Sequence, residues 1–519
     1  MIQQIDYFAI AAPLTLALVA GLVLLLDAFL PAGPRVTAGL GVATLAGVLA
    51  ALAFVTAQAF SGRTMSTFCV PARLGAQPGL CSFVVDRFTL VLTGLVLLAA
   101  VVIVLMSMTE LAGGGIPVGE WYFLLLCTLV GAVTLPAARD LIMLVVALEL
   151  VSLPVFALTA LKRYDGRASE AAVKLFLVSV VSTAVMLFGV SLLYGVGGTV
   201  FLSRLAAVLG GEAQAPGWPE GSSSLVAAEH GLPGVVTVGI VLVLAGFAFK
   251  IAAVPFHSWA ADVYQGAPVP VAALLSVISK AAGFAGLILV LVVALPGQSA
   301  TWAPVVAVVA ALTMTAGNLL ALRQRSAVRL LAWSSVAQSG YILAPLVVAI
   351  QTSGREAGAG AAGASVAYLV IYAAMNLGAF AVVMLVSRVA PRNVLDDYRG
   401  LALRRPAAGL SLAFCLICLA GLPPGLAGLF AKVVVFREIV EGGAAWLALV
   451  MAVNTVVGLC YYVGWTARLF TPEPGAAPAA PAVSRRHPAA WAATGLAVAA
   501  AVLFSLAPQL VLDMTLLSG

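Results

Sequence analysis

Four ionisable residues occupy places where an apolar chain should carry none. Glu149 lies in the run LIMLVVALELVSLPVF, Lys250 in LVLAGFAFKIAAVPFH, Lys280 in PVPVAALLSVISKAAGFAGL and Lys432 in GLPPGLAGLFAKVVVF. A charge at the centre of a membrane helix costs about 2.5–3.5 kcal/mol on insertion scales, so such residues are rare and functional by default. Glu149 follows Asp140 on one apolar run, which puts it about 14 Å along a helix at 1.5 Å per residue, near a bilayer midplane. One acid and three bases cannot all pair one-to-one. At least two lysines need water, backbone carbonyls or a neutral state. Burial disfavours the charged form of a lysine, and a nearby carboxylate restores it, so a row of this kind can pass protons along. The competing reading is that the charges only pair and hold helices together.

Other residues extend the row. Lys174 and Glu170 open a further apolar run in EAAVKLFLVS. The long stem of Lys174 can equally snorkel to the interface. His257 and Asp262 follow Lys250 in PFHSWAADVYQGAPVP. A histidine titrates near physiological pH and can hand protons to Lys250, or it can simply cap a helix end. Tyr264, Gly266 and Pro268 read as turn-forming residues before the next run. Helix breakers accompany two of the lysines. Pro255 follows Lys250, while Gly421, Pro423, Pro424, Gly425 and Gly428 precede Lys432. Proline removes a backbone donor and clashes with the preceding turn. Interrupted helices at membrane depth are tolerated where the backbone is buried in protein or lines a cavity. A pair of them at matching places in two halves points to inverted repeats around an ion site.

The elements that must position these residues follow from composition. The 519 residues are 63% apolar and 9% charged, with a mean hydropathy of +1.14, against about a quarter charged in a soluble domain. Runs of 18 or more nearly uncharged residues recur, each long enough to cross a hydrocarbon core of about 30 Å. They lack the dyad alternation of a barrel, so helices are expected. We read fourteen spans, near 8–30, 36–60, 88–108, 121–137, 140–161, 171–196, 233–256, 268–295, 302–322, 328–351, 363–387, 408–438, 444–467 and 488–512. The whole chain is then one transmembrane domain. Spans one to three fill 1–120, a first five-helix unit 121–300, a second 301–470, and span fourteen 471–519. Spans seven and twelve are the discontinuous ones.

Loops after odd-numbered spans hold 15 Lys and Arg, and those after even-numbered spans seven. The positive-inside rule puts the odd loops in the cytoplasm and both termini outside. The net charge of +6 is thereby explained by orientation and not by nucleic acid. No positively charged leader precedes the first apolar run. The connection from Ser61 to Asp86 lies outside on this reading. Its Cys69 and Cys81 can form a disulfide there or remain two thiols. Residues 201–231, rich in Gly, Ser and Pro, read as a surface loop. Cys415 and Cys418 lie inside span twelve, where small residues packing between helices suit them better than redox chemistry. No zinc, haem, iron–sulfur or phosphate-loop pattern is present, so no cofactor is expected on this chain.

The stretch FKIAAVPFHSWAADVYQGAPVPVAALLSVISKAA resembles the hallmark segment of the antiporter-like subunits of proton-translocating NADH–quinone oxidoreductase, bacterial respiratory complex I. VYQGAP resembles the subunit N branch more than its sisters L and M. ALELVSLPVFALTAL, EAAVKLFLVS, SSVAQSGYIL and GLPPGLAGLFAKVVVF resemble that branch too. The likeness spans about residues 85 to 470. It implies an all-α membrane fold of about fourteen helices with two inverted five-helix repeats, spans 4–8 and 9–13. It also implies a hydrophilic axis along the membrane plane. On the resemblance, Glu149 is the acid of a Glu–Lys pair with Lys250, Lys280 the central relay and Lys432 the terminal residue. His257 matches a family histidine beside the broken helix. Glu170 and Lys174 match charged positions opening span six. One departure is Ala261, where the family usually has proline before the aspartate; it should alter a turn and leave proton chemistry intact.

The resemblance further implies a translocase subunit of the bacterial plasma membrane with no redox site of its own. FMN, iron–sulfur clusters and quinone would sit in other subunits, and the partners would be other antiporter-like and small membrane subunits, with the lipid bilayer and no nucleic acid. The alternative is a subunit of a multisubunit Na⁺/H⁺ antiporter or of a membrane-bound hydrogenase.

Overall fold

The computed structural model describes residues 5–31, 33–71, 80–162, 165–211, 233–350, 355–472 and 487–515. Among them, twelve helices are long and apolar enough to cross a membrane. They match predicted spans one to six, eight to eleven, thirteen and fourteen: Ala11–Phe29, Pro34–Ser61, Arg87–Leu111, Val118–Ala137, Leu141–Ala160, Gly166–Gly197, Val269–Ala294, Pro296–Leu322, Ala327–Val348, Gly360–Ser387, Ala445–Phe470 and Pro488–Leu506. The two predicted spans missing from this set are the two expected to be broken. Span seven is Pro233–Lys250, followed by an irregular turn and the short helix Trp259–Gly266. Span twelve is Pro406–Ala420 and Leu426–Glu441.

Local chemistry sets the boundaries. Asp86, Asp140 and Asp165 precede spans three, five and six, and each carboxylate accepts backbone N–H groups of the first turn. This satisfies donors that a helix start leaves orphaned. Spans two and six end on Gly62 and Gly198, whose φ values of 62° and 61° suit glycine.

Burial ranks the spans. Windows in spans eight, ten and eleven are 89–94% buried, whereas those in spans one, two and six are 22–39% buried. A helix apolar all round and enclosed on every side belongs at the centre of a bundle. The outer spans leave Leu18, Leu25, Phe60, Val181 and Phe188 exposed, as suits lipid or a membrane partner.

Several details differ from the sequence reading. The connection after span two, read only as a long outside segment, contains two strands: Met65–Cys69 and Cys81–Val85 pair antiparallel, with Cys69 opposite Cys81. Of the two alternatives for these cysteines, the disulfide is the one formed. Ser82 O accepts from Arg139 N at 2.8 Å, and Arg139 pairs with Asp86 at 2.5 Å, so the hairpin is tied to the start of span five. In the connection 201–231, Leu202–Leu209 is helical, because Leu202, Leu205 and Val208 share a buried face; residues 212–231 lie outside the described residues. Tyr264 and Gly266 are not a turn but the end of Trp259–Gly266. A Cβ at Gly266 would stand 2.6 Å from Ala171 Cβ and from Arg167 O, so glycine there permits close approach to span six. Ala261 is a buried residue of the same helix, so the departure from proline falls in a helical first turn. Span fourteen stops at Leu506 and resumes as Gln509–Thr515, on either side of Pro508. Cys415 and Cys418 are buried free thiols, as packing between helices requires. A Cβ on Gly428 would meet Cys418 O at 1.7 Å, so the halves of span twelve touch backbone to backbone.

Candidate functional site

The row of ionisable residues is built on spans five, seven, eight and twelve. Lys250, Lys280 and Lys432 are 7%, 1% and 8% exposed, while Glu149 is half-buried. Among the described residues no ion pair joins Glu149 to Lys250. Glu149 Oε1 accepts from Thr183 Oγ1 of span six at 2.7 Å, and Lys250 Nζ donates to Ser152 Oγ at 2.8 Å. Ser152 stands three residues after Glu149 on the same helix. Gly283 of span eight makes room: a Cβ there would stand 3.1 Å from Lys250 Cγ. A small cavity beside Lys250 is lined by Ser152, Ser179 and Ser279, the last being the residue before Lys280.

Lys280 emerges where span eight winds as a π-helix over Leu275–Ser279, a local rewinding frequent at functional sites. Its ammonium donates to Ser335 O and, at 2.7 Å, to Ser339 Oγ, both on span ten. Lys432 donates to Leu419 O at 3.1 Å and Ala420 O at 2.7 Å, across the break in span twelve. Those two carbonyls would ordinarily accept from the N–H groups four residues on. Pro423 and Pro424 stand there and have none. The lysine therefore supplies the donors that the two prolines remove. Its Nζ also lies 5.7 Å from the centre of the Tyr341 ring, within cation–π range.

Between Lys280 and Lys432 lies a buried polar cluster that sequence reasoning missed. Tyr372 donates to Ser335 Oγ at 2.7 Å and Asn376 to Ser276 Oγ at 2.8 Å. Tyr368 donates to Gln338 at 2.6 Å and Gln338 to Tyr462 at 3.2 Å. Tyr341 stacks on Tyr368 with ring centres 6.1 Å apart and accepts from Asn318, which in turn accepts from Tyr461. These residues are neutral, so a search for misplaced charges passes over them. The available signal was polar side chains at mid-span, such as Gln338 and Asn376.

Three of the four secondary residues, Glu170, Lys174 and Asp262, gather at one end of the bundle. Asp262 accepts from Arg329 at 2.7 Å and Lys174 at 3.1 Å, and Lys174 also pairs with Glu170 at 2.7 Å. They line an open cavity of about 340 Å³ with Arg167 and Gln265. Partial burial pushes the Asp262 carboxyl up, but the bonds and charges of Arg329 and Lys174 outweigh it and hold it below the usual carboxylate range. Lys174 is thus a bonded, half-exposed member of this cluster, not a mid-membrane charge. His257 stands apart from it, its half-buried ring edge-on to Trp333 at 5.5 Å. Among the described residues no group of three or more His, Cys, Asp or Glu side chains is placed to hold a metal ion.

The fold and this row define a polytopic helical membrane protein with ionisable side chains carried through its interior. A family profile described as "NADH:quinone oxidoreductase/Mrp antiporter, TM" matches residues 138–458. "NADH-quinone oxidoreductase subunit N 2" of Streptomyces griseus is 49% identical over 99% of this chain and 93% of its own. A chain of respiratory complex I from Thermus thermophilus superposes with a TM-score of 0.71 at 30% identity, covering 97% of this chain and 98% of that one. A chain of the Mrp complex from Dietzia sp. DQ12-45-1b gives a TM-score of 0.77 at 22% identity, over 97% and 96%, a likeness of fold alone. The chain belongs to the subunit N family of NADH–quinone oxidoreductase, the antiporter-like membrane subunits of respiratory complex I.

Proposed function

We propose that Glu149, Lys250, Lys280 and Lys432 carry protons through this subunit, driven by quinone reduction elsewhere in the complex. The observation that carries this reading is what holds the lysines. Among the described residues, each of the three donates its hydrogen bonds to hydroxyls or backbone carbonyls. An ammonium held by neutral oxygens has no fixed counter-ion, so its charge state responds to other charges along the row. Glu149 accepts from Thr183 Oγ1 and stands on the same helix as Ser152, the partner of Lys250. The row needs external energy, because each proton moved against 100 mV costs about 2.3 kcal/mol.

His257, Asp262, Lys174 and Glu170 feed the row from the cytoplasmic side. The surplus of Lys and Arg in loops after odd-numbered spans supports that orientation, with both termini outside a bacterial plasma membrane. Two broken spans, each beside a buried lysine, support inverted repeats at 121–300 and 301–470. FMN, iron–sulfur clusters and quinone belong to other subunits. The partners in the membrane are other antiporter-like and small membrane subunits and lipid, with no nucleic acid.

Glu149→Ala and Lys250→Ala are expected to leave the complex assembled while lowering coupled quinone reductase activity and proton pumping. Normal pumping by either assembled variant sinks the pair. A second reading, a sodium–proton antiporter component, has in its favour the family profile, whose description names the Mrp antiporter beside NADH:quinone oxidoreductase. Gentle purification followed by mass spectrometry separates the two: flavin, iron–sulfur and quinone-site subunits on one reading, small antiporter-type partners on the other.

A further inference from the structure

One hydroxyl joins the central lysine to the break in span seven. The first half of span seven ends at Lys250, with Ala252 left-handed at φ 57° and Ala252 N and Ala253 N turned back to Phe249 O and Ala248 O, so Ile251 O lies past the last helical turn, and Pro255, four residues on, has no N–H to serve as its donor. Ser339 of span ten supplies one, its Oγ lying 2.7 Å from Ile251 O. The same Oγ lies 2.7 Å from Lys280 Nζ and 3.2 Å from Ser335 O. Ser339, Lys280 and Ile251 are each no more than 1% exposed. The other backbone group held from outside the break by a hydroxyl is Val254 N, which donates to Thr313 Oγ1 at 2.9 Å and has no part in this triangle.

Hydrogen-bonding capacity decides which way the hydroxyl points. An ammonium has three N–H donors and no lone pair, while a serine hydroxyl has one proton to give. While Lys280 is charged it donates to Ser339 Oγ, and the Ser339 proton goes to a carbonyl, of which Ile251 O is the nearer. A neutral amine has a lone pair. The Ser339 O–H can then turn to Lys280, and Ile251 O loses its donor. No proton leaves Ser339; one O–H rotates. Ile251 adjoins Lys250, and span eight packs against both, since a Cβ on Gly283 would stand 2.9 Å from Ile251 Cγ2 and 3.1 Å from Lys250 Cγ. We infer that Ser339 is a positioning residue that couples the protonation of Lys280 to the backbone beside Lys250. This rests on the proton-carrying reading of both lysines and adds the means by which one senses the other. In span twelve no hydroxyl intervenes, because Lys432 itself reaches the orphaned carbonyls.

The test uses the whole complex, purified and reconstituted, with Ser339→Ala, Ser339→Thr, Ser339→Cys and Lys280→Ala. Assembly, quinone reductase rate with and without an uncoupler, and protons moved per electron pair are read for each. Ser339→Ala is expected to lower coupled turnover about tenfold, and Ser339→Thr, which keeps the hydroxyl, to recover it to within about threefold of wild type. Wild-type turnover and pumping in Ser339→Ala overturn the inference, as does a threonine variant no better than alanine. If the alanine variant does not assemble, Ser339→Cys decides: its thiol is a weak donor of similar size, so impaired coupling supports the switch and wild-type coupling overturns it. Lys280→Ala separates the two levels. Normal pumping there removes the proton path and the switch together, whereas a defect there beside a normal Ser339→Ala removes the switch alone.

Discussion

Replacing Lys432 should expose a structural duty and a proton duty in one residue. Its Nζ holds Leu419 O and Ala420 O, and Pro423 and Pro424 remove the helical donors of both. Lys432→Met keeps much of the volume and deletes the donors. Each buried carbonyl left without a donor costs about 1–3 kcal/mol, so the pair costs about 2–6 kcal/mol before any relaxation. Loss of the cation–π contact with Tyr341 adds about 0.5–2 kcal/mol, while relief from burying an ammonium works the other way and makes the lower half of the range the expectation. At about 2.1 cal/mol/K per residue, the 519 residues give about 1 °C of melting temperature per kcal/mol. With this chain as the melting unit, thermal melting of the purified complex should therefore fall by about 2–5 °C, with protons per electron pair measured on the same preparation. An unchanged melting temperature would refute the capping argument. A lowered melting temperature with an unchanged pumping ratio would keep the cap and take Lys432 out of the proton path.

Two further predictions concern the ends of the bundle. The folded Asp262 carboxyl lies below its unfolded value of about 3.9, so its stabilisation is present above about pH 4 and fades as pH falls through the lower folded value. Asp262 is 40% exposed at the side chain, so each ion pair contributes about 0–1 kcal/mol. Melting of Asp262→Asn against wild type should show a small gap, constant from about pH 5 upward and closing below 4; a gap that widens in acid contradicts the assignment. The Cys69–Cys81 bond closes a segment with a sequence separation of 12, worth about 3 kcal/mol in the chain-entropy account. Thiol labelling of right-side-out vesicles after a membrane-impermeant reductant should tag both cysteines, and tagging only in inverted vesicles reverses the proposed orientation.

Much of this molecule was legible because its strongest physical constraint, the bilayer, writes itself along the chain. Long uncharged runs gave the spans, and prolines and glycines beside Lys250 and Lys432 marked the two that break. What could not be read were partners fixed by packing between distant spans. Glu149 turns to Thr183 of span six, although a Glu–Lys pair was the expectation from the resemblance. The hairpin at Met65–Val85 escaped because its strands are five residues each, too short to show a period against flanking apolar runs. The tyrosines and amides between Lys280 and Lys432 escaped because the search followed charges, and neutral side chains such as Gln338 and Asn376 are a weaker anomaly at mid-span than a lysine.

The breaks show where sequence and fold divide the work. Proline marks where a carbonyl at or past a helix end finds no donor four residues on: Ile251 before Pro255, Leu419 before Pro423 and Ala420 before Pro424. It does not state what closes it. In span seven the donor is a hydroxyl from span ten that also holds Lys280, while in span twelve it is the lysine of the following half-helix. A buried carbonyl in an apolar interior must find some donor. A donor that is an ammonium, or is bonded to one, ties the closure of the break to a charge. A hydroxyl bonded only to neutral groups would close either break just as well and leave the backbone indifferent to protons. In both places, therefore, the proposed proton path acts on the break through the lysine bonded at it.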